Sequence, residues 1–387
     1  MSSTRSATST AGAERAVSAR KVPYVNIGAQ YAEERDELLP IIDQVLREGQ
    51  YIAGEVIERL EAELAAFVGV KHVVTLNSGT DALALSLAAL GIGPGDEVIT
   101  PPNSFVASTA VVVNLRAKPV FVDVLPDQNL DPKQVEAAIT PRTKAIMPVH
   151  LTGRMARMDE IMAIAARHKL AVVEDAAQAI GSRYQGRASG SYGDAGCFST
   201  HPLKNFNACG DGGFVSTNDA QLAAKVRAAR NHGLVDRNTV AQFASVSRMD
   251  TVQAAILRYR LKRLPEITER RRRNAALYTR LLDMGAVFVP PVIAAEYHTY
   301  HTYVIQSERR DELQRSLSER GVGSAIHYPV PIHLQPAARE LGYRAGQFPV
   351  VEQQAQRILT LPVNQSLSED DVRYVASCVN LFFDKRP

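Results

Sequence analysis

Between Pro23 and Leu257, short β-rich runs alternate with stretches of helical periodicity, and this alternation restricts the chain to an α/β layer architecture. The runs are His72–Leu76, Glu97–Thr100, Val120–Val122, Ala145–Val149, Ala171–Glu174, Gly196–Thr200 and Gly213–Thr217. Between them, Ile57, Leu60, Leu64 and Phe67 recur at helical spacing, and Met158–His168 reads the same way. Turn residues such as Gly91-Ile92-Gly93-Pro94-Gly95-Asp96 punctuate the series. Past Met249 the texture changes to a long charged helix, Thr251–Leu282, with a break expected at Pro265. Strands at Tyr303–Gln306 and Ala325–Tyr328 and helices at Asp311–Arg320 and Glu369–Phe382 then describe a second, smaller α+β unit.

A chain of 387 residues exceeds the size at which one core stops growing, so two domains are expected. Their limits read as a large domain over residues 23–257 and a small one over 258–387. Residues 1–22 are rich in Ser, Thr, Ala and Arg with no apolar core; they read as a disordered tail, since Glu14 and the missing amphipathic face argue against an address tag. The net charge of +3 argues against nucleic acid as a partner, and no apolar stretch is long enough to span a bilayer. Cys197, Cys209 and Cys378 form neither a CxxC pair nor a disulfide framework. They read as inert, half-buried thiols in a reducing, cytoplasmic compartment. The histidines show no ligand spacing, so no metal site is expected.

Three groups carry chemistry. Ser78-Gly79-Thr80 lies between the run His72–Leu76 and a helical stretch, where a helix N-terminus presents unpaired N–H groups to a phosphate. Gly79 permits close backbone approach, and Thr80 adds a hydroxyl. Asp175 follows the apolar run Ala171-Val172-Val173, which puts a carboxylate at the carboxyl end of a strand. Gln178 lies one turn further on. Ser199 ends the run Gly196–Thr200, and Lys204 follows in a loop with Pro202. A lysine in a crowded, partly dry site loses its proton readily and becomes a competent imine former. A phosphate turn, a strand-end carboxylate and an amine, in that order along the chain, are the parts that hold pyridoxal 5'-phosphate (PLP).

Further landmarks are Tyr51-Ile52-Ala53-Gly54, Gly210-Asp211-Gly212-Gly213, Arg230-Asn231-His232-Gly233 and His327-Tyr328-Pro329-Val330-Pro331. With the three groups above, they make the chain resemble the DegT/DnrJ/EryC1/StrS sugar aminotransferases from about Pro23 to Phe383. The resemblance implies a fold-type I PLP-dependent transferase, with a mixed, mostly parallel seven-stranded sheet in the large domain and a smaller C-terminal α+β domain. It implies Lys204 as carrier of the internal aldimine, Asp175 as partner of the pyridinium and Gln178 as contact to the ring oxygen. Gly79, Thr80 and Ser199 would hold the phosphate and Phe105 would stack on the ring. His327 and Tyr328 look like the loop that approaches substrate. Family members are homodimers with active sites shared across the interface.

The activity implied is transfer of an amino group from L-glutamate or L-glutamine, through pyridoxamine 5'-phosphate, to a ketone of a nucleotide-linked keto-deoxysugar. A keto-cyclitol of the scyllo-inosose type is the alternative acceptor. Dehydratases of the same group replace the lysine with histidine, and Lys204 speaks against that reading. A non-catalytic sensor would lose Asp175, Lys204 or the phosphate turn, and all three are present. One position departs from the family pattern: Val246, in Ser245-Val246-Ser247-Arg248-Met249-Asp250, stands where an asparagine usually reaches the neighbouring subunit's phosphate. Valine donates no hydrogen bond, so weaker cofactor retention or a replacement contact from Ser245 or Ser247 is expected. The run Arg270-Arg271-Arg272-Arg273 reads as a solvated helix face, with a substrate diphosphate contact as its alternative. Cys209-Gly210-Asp211-Gly212-Gly213 has the wrong spacing for a nucleotide fingerprint.

Overall fold

All seven of the β-rich runs enter one sheet. In the computed structural model, which describes residues 20–384, helices α1 (Ile27–Glu48) and α2 (Glu55–Val68) precede strand β1 (His72–Leu76). Then follow α3 (Gly79–Ala89), β2 (Glu97–Thr100), α4 (Ala107–Asn114), β3 (Lys118–Phe121), α5 (Pro132–Ala137), β4 (Thr143–Ile146), α6 (Met158–His168) and β5 (Ala171–Asp175). A short hairpin, β6 (Arg183–Tyr184) and β7 (Arg187–Ala188), leads into β8 (Ala195–Ser199), β9 (Gly213–Thr217) and α7 (Ala220–Ala229). The sheet order is β1-β9-β8-β5-β4-β2-β3, with β9 antiparallel to both neighbours and every other pair parallel. Strand β3 starts two residues earlier than its apolar run, at Lys118-Pro119. It is an edge strand, where lysine and proline are tolerated.

Helices cover both faces. On one, Leu83, Leu87 and Val112 pack against Val74, Val173 and Val215; on the other, Leu60, Leu64 and Leu257 pack against Val73 and Phe214. Each fully buried leucine contributes roughly 1.5–3 kcal/mol.

The chain closes with α8 (Thr251–Leu281), β10 (Glu296–Tyr297), β11 (Tyr303–Gln306), α9 (Arg310–Glu319), α10 (Pro349–Arg357), β12 (Ile358–Leu361) and α11 (Glu369–Asp384). Helix α8 runs unbroken through Pro265, contrary to expectation. Proline costs the bond to Leu261, but α8 packs against α1, α2 and α11 along its length, and this tertiary packing outweighs one lost bond. The expected boundary at residue 257 also falls inside this helix. Leu257, Leu261 and Leu264 belong to the core shared with the large sheet, whereas Ala275, Tyr278 and Leu282 belong to the core of the small unit. The partner of β11 is β12, not Ala325–Tyr328. Only Ala325 bridges Thr360 before the chain turns away.

Of the proposed tail, residues 1–19 lie outside the described residues; Arg20 and Lys21 are exposed and Val22 is buried. Val22 is 1% exposed in the small core and bridges Val322, and Arg20 pairs with Asp371 at 2.7 Å. Cys197 and Cys378 are buried and Cys209 is exposed, so none of the three is half-buried. Among the described residues no helix is long and apolar enough to cross a membrane.

Candidate active site

Strands β1, β5 and β8 run in the same direction, so their carboxyl ends share one edge of the sheet. Asp175 ends β5, Ser199 ends β8, and Ser78-Gly79-Thr80 carries the chain from β1 into α3. Outside that edge lies a cavity of about 510 Å³. All nine residues singled out in the sequence line it: Gly79, Thr80, Phe105, Asp175, Gln178, Ser199, Lys204, His327 and Tyr328. The crevice beyond strand carboxyl ends is where ligands bind in open α/β sheets.

At one end stands the N-terminus of α3. Ser78 caps it, its Oγ accepting from Asp81 N–H at 3.0 Å. The N–H groups of Gly79 and Thr80 have no partner among the described residues, which leaves two donors and the positive helix end for an anion. The turn is clamped onto β8 and β9. A Cβ at Gly79 would fall 2.6 Å from Ser199 Cβ, and one at Gly213 would fall 2.5 Å from the Ser78 carbonyl. Gly213 thus serves packing beneath the turn, and Gly212 packs against Thr200. Ser247, 2% exposed, holds the turn from outside, with its hydroxyl 2.7 Å from Asp81 Oδ2 and 3.2 Å from Asn77 Oδ1. Of the two serines flanking exposed Val246, Ser247 is therefore committed within its own chain, and Ser245 is exposed.

Deeper in, Asp175 is 5% exposed. Its Oδ2 accepts from Ser108 Oγ at 2.7 Å and its Oδ1 from Ala177 N–H at 3.2 Å, which fixes the carboxylate plane. Gln178 Oε1 accepts from Thr152 N–H at 2.8 Å, so its NH₂ is the end without a partner among the described residues. Thr152 sits at φ +66°, and its Oγ1 lies 3.1 Å from Nε2 of buried His298. Burial, then the charges of Arg154 and Arg272, push His298 well below the usual histidine range.

Lys204 lies in the loop between β8 and β9, its backbone N–H donating to His201 O at 2.8 Å. Its amine has no hydrogen-bond partner among the described residues. Burial lowers its pKa to about 8, while the Asp175 carboxylate acts in the opposite sense. His301 and His327 line the same cavity and are both pushed down, by burial first and by Lys204 second, so they stand as neutral rings. The loop is tied down from below. Asn207 exchanges amide hydrogen bonds with Gln30 at 3.0 and 3.1 Å and donates to Pro202 O at 2.8 Å. Arg260 grips Glu34 through Nε and Nη2 at 2.9 and 2.7 Å and donates from Nη1 to Asn207 O at 2.8 Å. None of these tethers was expected from the sequence.

The cavity mouth is aromatic. Phe105 is 56% exposed, with its ring centroid 6.0 Å from that of Tyr328, so it is a wall rather than core. Burial, then Asp175, pushes the Tyr328 phenol up to about 12. His327 Nδ1 lies 3.1 Å from Thr360 Oγ1, which holds the ring in place.

Sequence reasoning missed Tyr24, Gln30, Asn207, Arg271 and His301, all of which line the cavity. For Arg271 a signal was present. Ile267, Thr268, Arg271, Asn274, Ala275 and Tyr278 are the buried stripe of α8, spaced three and four apart. The run Arg270–Arg273 is consequently not a uniform solvated face: Arg270 pairs with Glu33 and Glu266, Arg272 with Glu269, and Arg271 turns inward. Among the described residues no group of three His, Cys, Asp or Glu side chains is placed to hold a metal ion.

The model of the DegT/DnrJ/EryC1/StrS aminotransferase family matches residues 32–380. The chain belongs to this family. It is 44% identical over 366 residues to a pleiotropic regulatory protein of Geobacillus stearothermophilus, covering 94% of this chain and 98% of the relative. It is 42% identical over 361 residues to the dTDP-3-amino-3,4,6-trideoxy-alpha-D-glucose transaminase of Streptomyces venezuelae, covering 93% of this chain and 95% of that protein. The crystal structure of S. venezuelae DesV in complex with a ketimine intermediate superposes with a TM-score of 0.93 at 41% identity, over 95% of this chain and 100% of that one. The architecture and the aminotransferase class follow from these family relationships.

Proposed function

We propose that this chain is a PLP-dependent aminotransferase that moves an amino group from L-glutamate or L-glutamine to a ketone of a nucleotide-linked keto-deoxysugar. The observation that carries the reading is an unpaired, half-buried lysine amine, Lys204, sharing one cavity with the buried carboxylate of Asp175. The dTDP-sugar transaminase among its relatives supports the acceptor class.

The residues present fit the cofactor. The phosphate would meet the N–H groups of Gly79 and Thr80, with the hydroxyls of Thr80 and Ser199 beside them. Asp175, held by Ser108, would pair with the ring nitrogen, Gln178 NH₂ would donate to the ring oxygen, and Phe105 would cover the ring face. Bound there, PLP supplies an aldehyde that takes up the amino group and a ring that draws electrons from the neighbouring carbon. Lys204 Nζ, depressed toward neutral pH, would take the proton from the donor's α-carbon and hand it to the carbon that was the cofactor's aldehyde in the same half-reaction; with the ketone the transfer runs the other way. The carboxylate of Asp175 would stabilise positive charge at the ring nitrogen, and Ser108 keeps that carboxylate from turning away. The aromatic wall of Phe105 and Tyr328 keeps water from the reacting carbon.

The working unit is a homodimer with shared sites. Its support is the loop between α7 and α8, where Val235, Val240 and Val246 are about half exposed and Phe243 entirely so, next to the Ser247 side of the phosphate turn.

A panel of dTDP- and UDP-linked keto-sugars and keto-cyclitols, scored for nitrogen received from ¹⁵N-labelled glutamate and glutamine, tests the assignment. Transfer to a nucleotide keto-sugar, lost in Lys204→Ala, is the expected result. Transfer confined to scyllo-inosose would move the acceptor to the cyclitols, and full activity in Lys204→Ala would overturn the mechanism.

A further inference from the structure

Four arginines are buried among the described residues: Arg154, Arg260, Arg271 and Arg310, at 5, 4, 7 and 8% exposure. Three of them meet a carboxylate. Arg154 reaches Glu296 at 3.5 Å, Arg260 grips Glu34 at 2.7 Å, and Arg310 pairs with Asp311. Arg271 meets none among the described residues. Its Nη1 donates to the carbonyls of Tyr300 and His301 at 3.1 and 3.2 Å. Its Nε is buried with no partner, and its Nη2 makes no hydrogen bond among the described residues. Nε and Nη2 form one edge of the guanidinium, the same edge with which Arg260 holds Glu34. In Arg271 that edge is unused and the side chain lines the cavity.

A buried, unpaired fork of two donors is built for a planar anion with two oxygens. We propose that Arg271 anchors the carboxylate of the amino-acid donor. This rests on the reading that the donor is an α-amino acid. Position favours the donor over a nucleotide diphosphate. The α-carboxylate is one bond from the carbon whose proton Lys204 removes, so its anchor must lie deep and close to the amine. Arg271 is deep, and both its charge and that of Lys204 act on the same His301 ring. A diphosphate, separated from the reacting ketone by a sugar ring, would need a cation nearer the mouth. Burial lowers the Arg271 pKa to about 10, so the guanidinium still carries its charge at neutral pH.

The test separates the two half-reactions of the holoenzyme in Arg271→Gln and Arg271→Lys. The donor KM is expected to rise roughly 10- to 150-fold, the range for losing hydrogen bonds to a charged group. The KM of the nucleotide ketone should stay within about twofold of the parent. Arg271→Lys keeps the charge and loses only the fork, so it carries the test if Arg271→Gln does not fold. Calorimetric titration with glutarate, which is unreactive, reads binding without turnover; its affinity should fall by the same factor. Equal loss in both half-reactions would reduce Arg271 to a support for the Tyr300–His301 turn, and a rise confined to the nucleotide ketone would make it a diphosphate site. Either result overturns the proposal, as does unchanged glutarate binding. If the parent enzyme accepts nitrogen from no α-amino acid, the proposed activity fails while the glutarate titration still decides the role of Arg271.

Discussion

At Lys204 the decisive variable is water. Its half-buried amine lines a cavity in which His301 and His327 are held neutral; burial disfavours its charged form and Asp175 favours it. The sign follows. A lysine whose pKa falls from 10.5 to about 8 is mostly neutral above pH 8, where an ordinary lysine is still charged. In cofactor-free protein, acylation of Lys204 followed by peptide mass mapping should rise with a midpoint near pH 8, well below that of bulk lysines. Linkage gives a second consequence of the same shift. Between about pH 8 and 10.5 the unfolded chain holds this proton more tightly, so the contribution of Lys204 to stability rises with pH across that window. Lys204 and Asp175 were legible in the sequence because each follows an apolar strand run that fixes where its side chain emerges. Arg271 was not, because four consecutive arginines hide the one that faces inward until the helix phase is known.

At the scale of elements, strands bounded by turn residues were read well and long helices poorly. Helix α1 went unread, yet it supplies Gln30 and Glu34 to the floor of the site. Its polar residues at those positions mask an inward face that becomes visible only when Arg260 and Asn207 arrive from residues 177 or more away. The strand assigned to Ala325–Tyr328 failed for a related reason: His327 and Tyr328 line a cavity instead of a ladder, while Ile326 packs on the small core. The Glu34–Arg260 pair offers a test at this scale. Both side chains are nearly inaccessible, at 1 and 4%, and removing one partner strands a buried charge. Glu34→Ala should cost about 3–5 kcal/mol of unfolding free energy, measured by urea denaturation. It should also slow amino transfer, because the loop carrying Lys204 loses its floor.

For the molecule as a whole, the two cores meet along α8, and the N-terminal strand residue Val22 is folded into the second of them. The outer surface carries its own instruction in Phe243, which is fully exposed among the described residues. Phe243→Asp should shift the sedimentation profile from dimer toward monomer and weaken activity at low protein concentration; an unchanged profile would remove this loop from the interface. The continuous helix α8 also limits how the enzyme opens. A rod of 31 residues shared by both cores has no loop at which to fold like a jaw, and Arg271 rides on the stretch that joins them. Substrates must therefore come and go past side chains at the rim, such as Phe105 and Tyr328, while the body of the enzyme stays still.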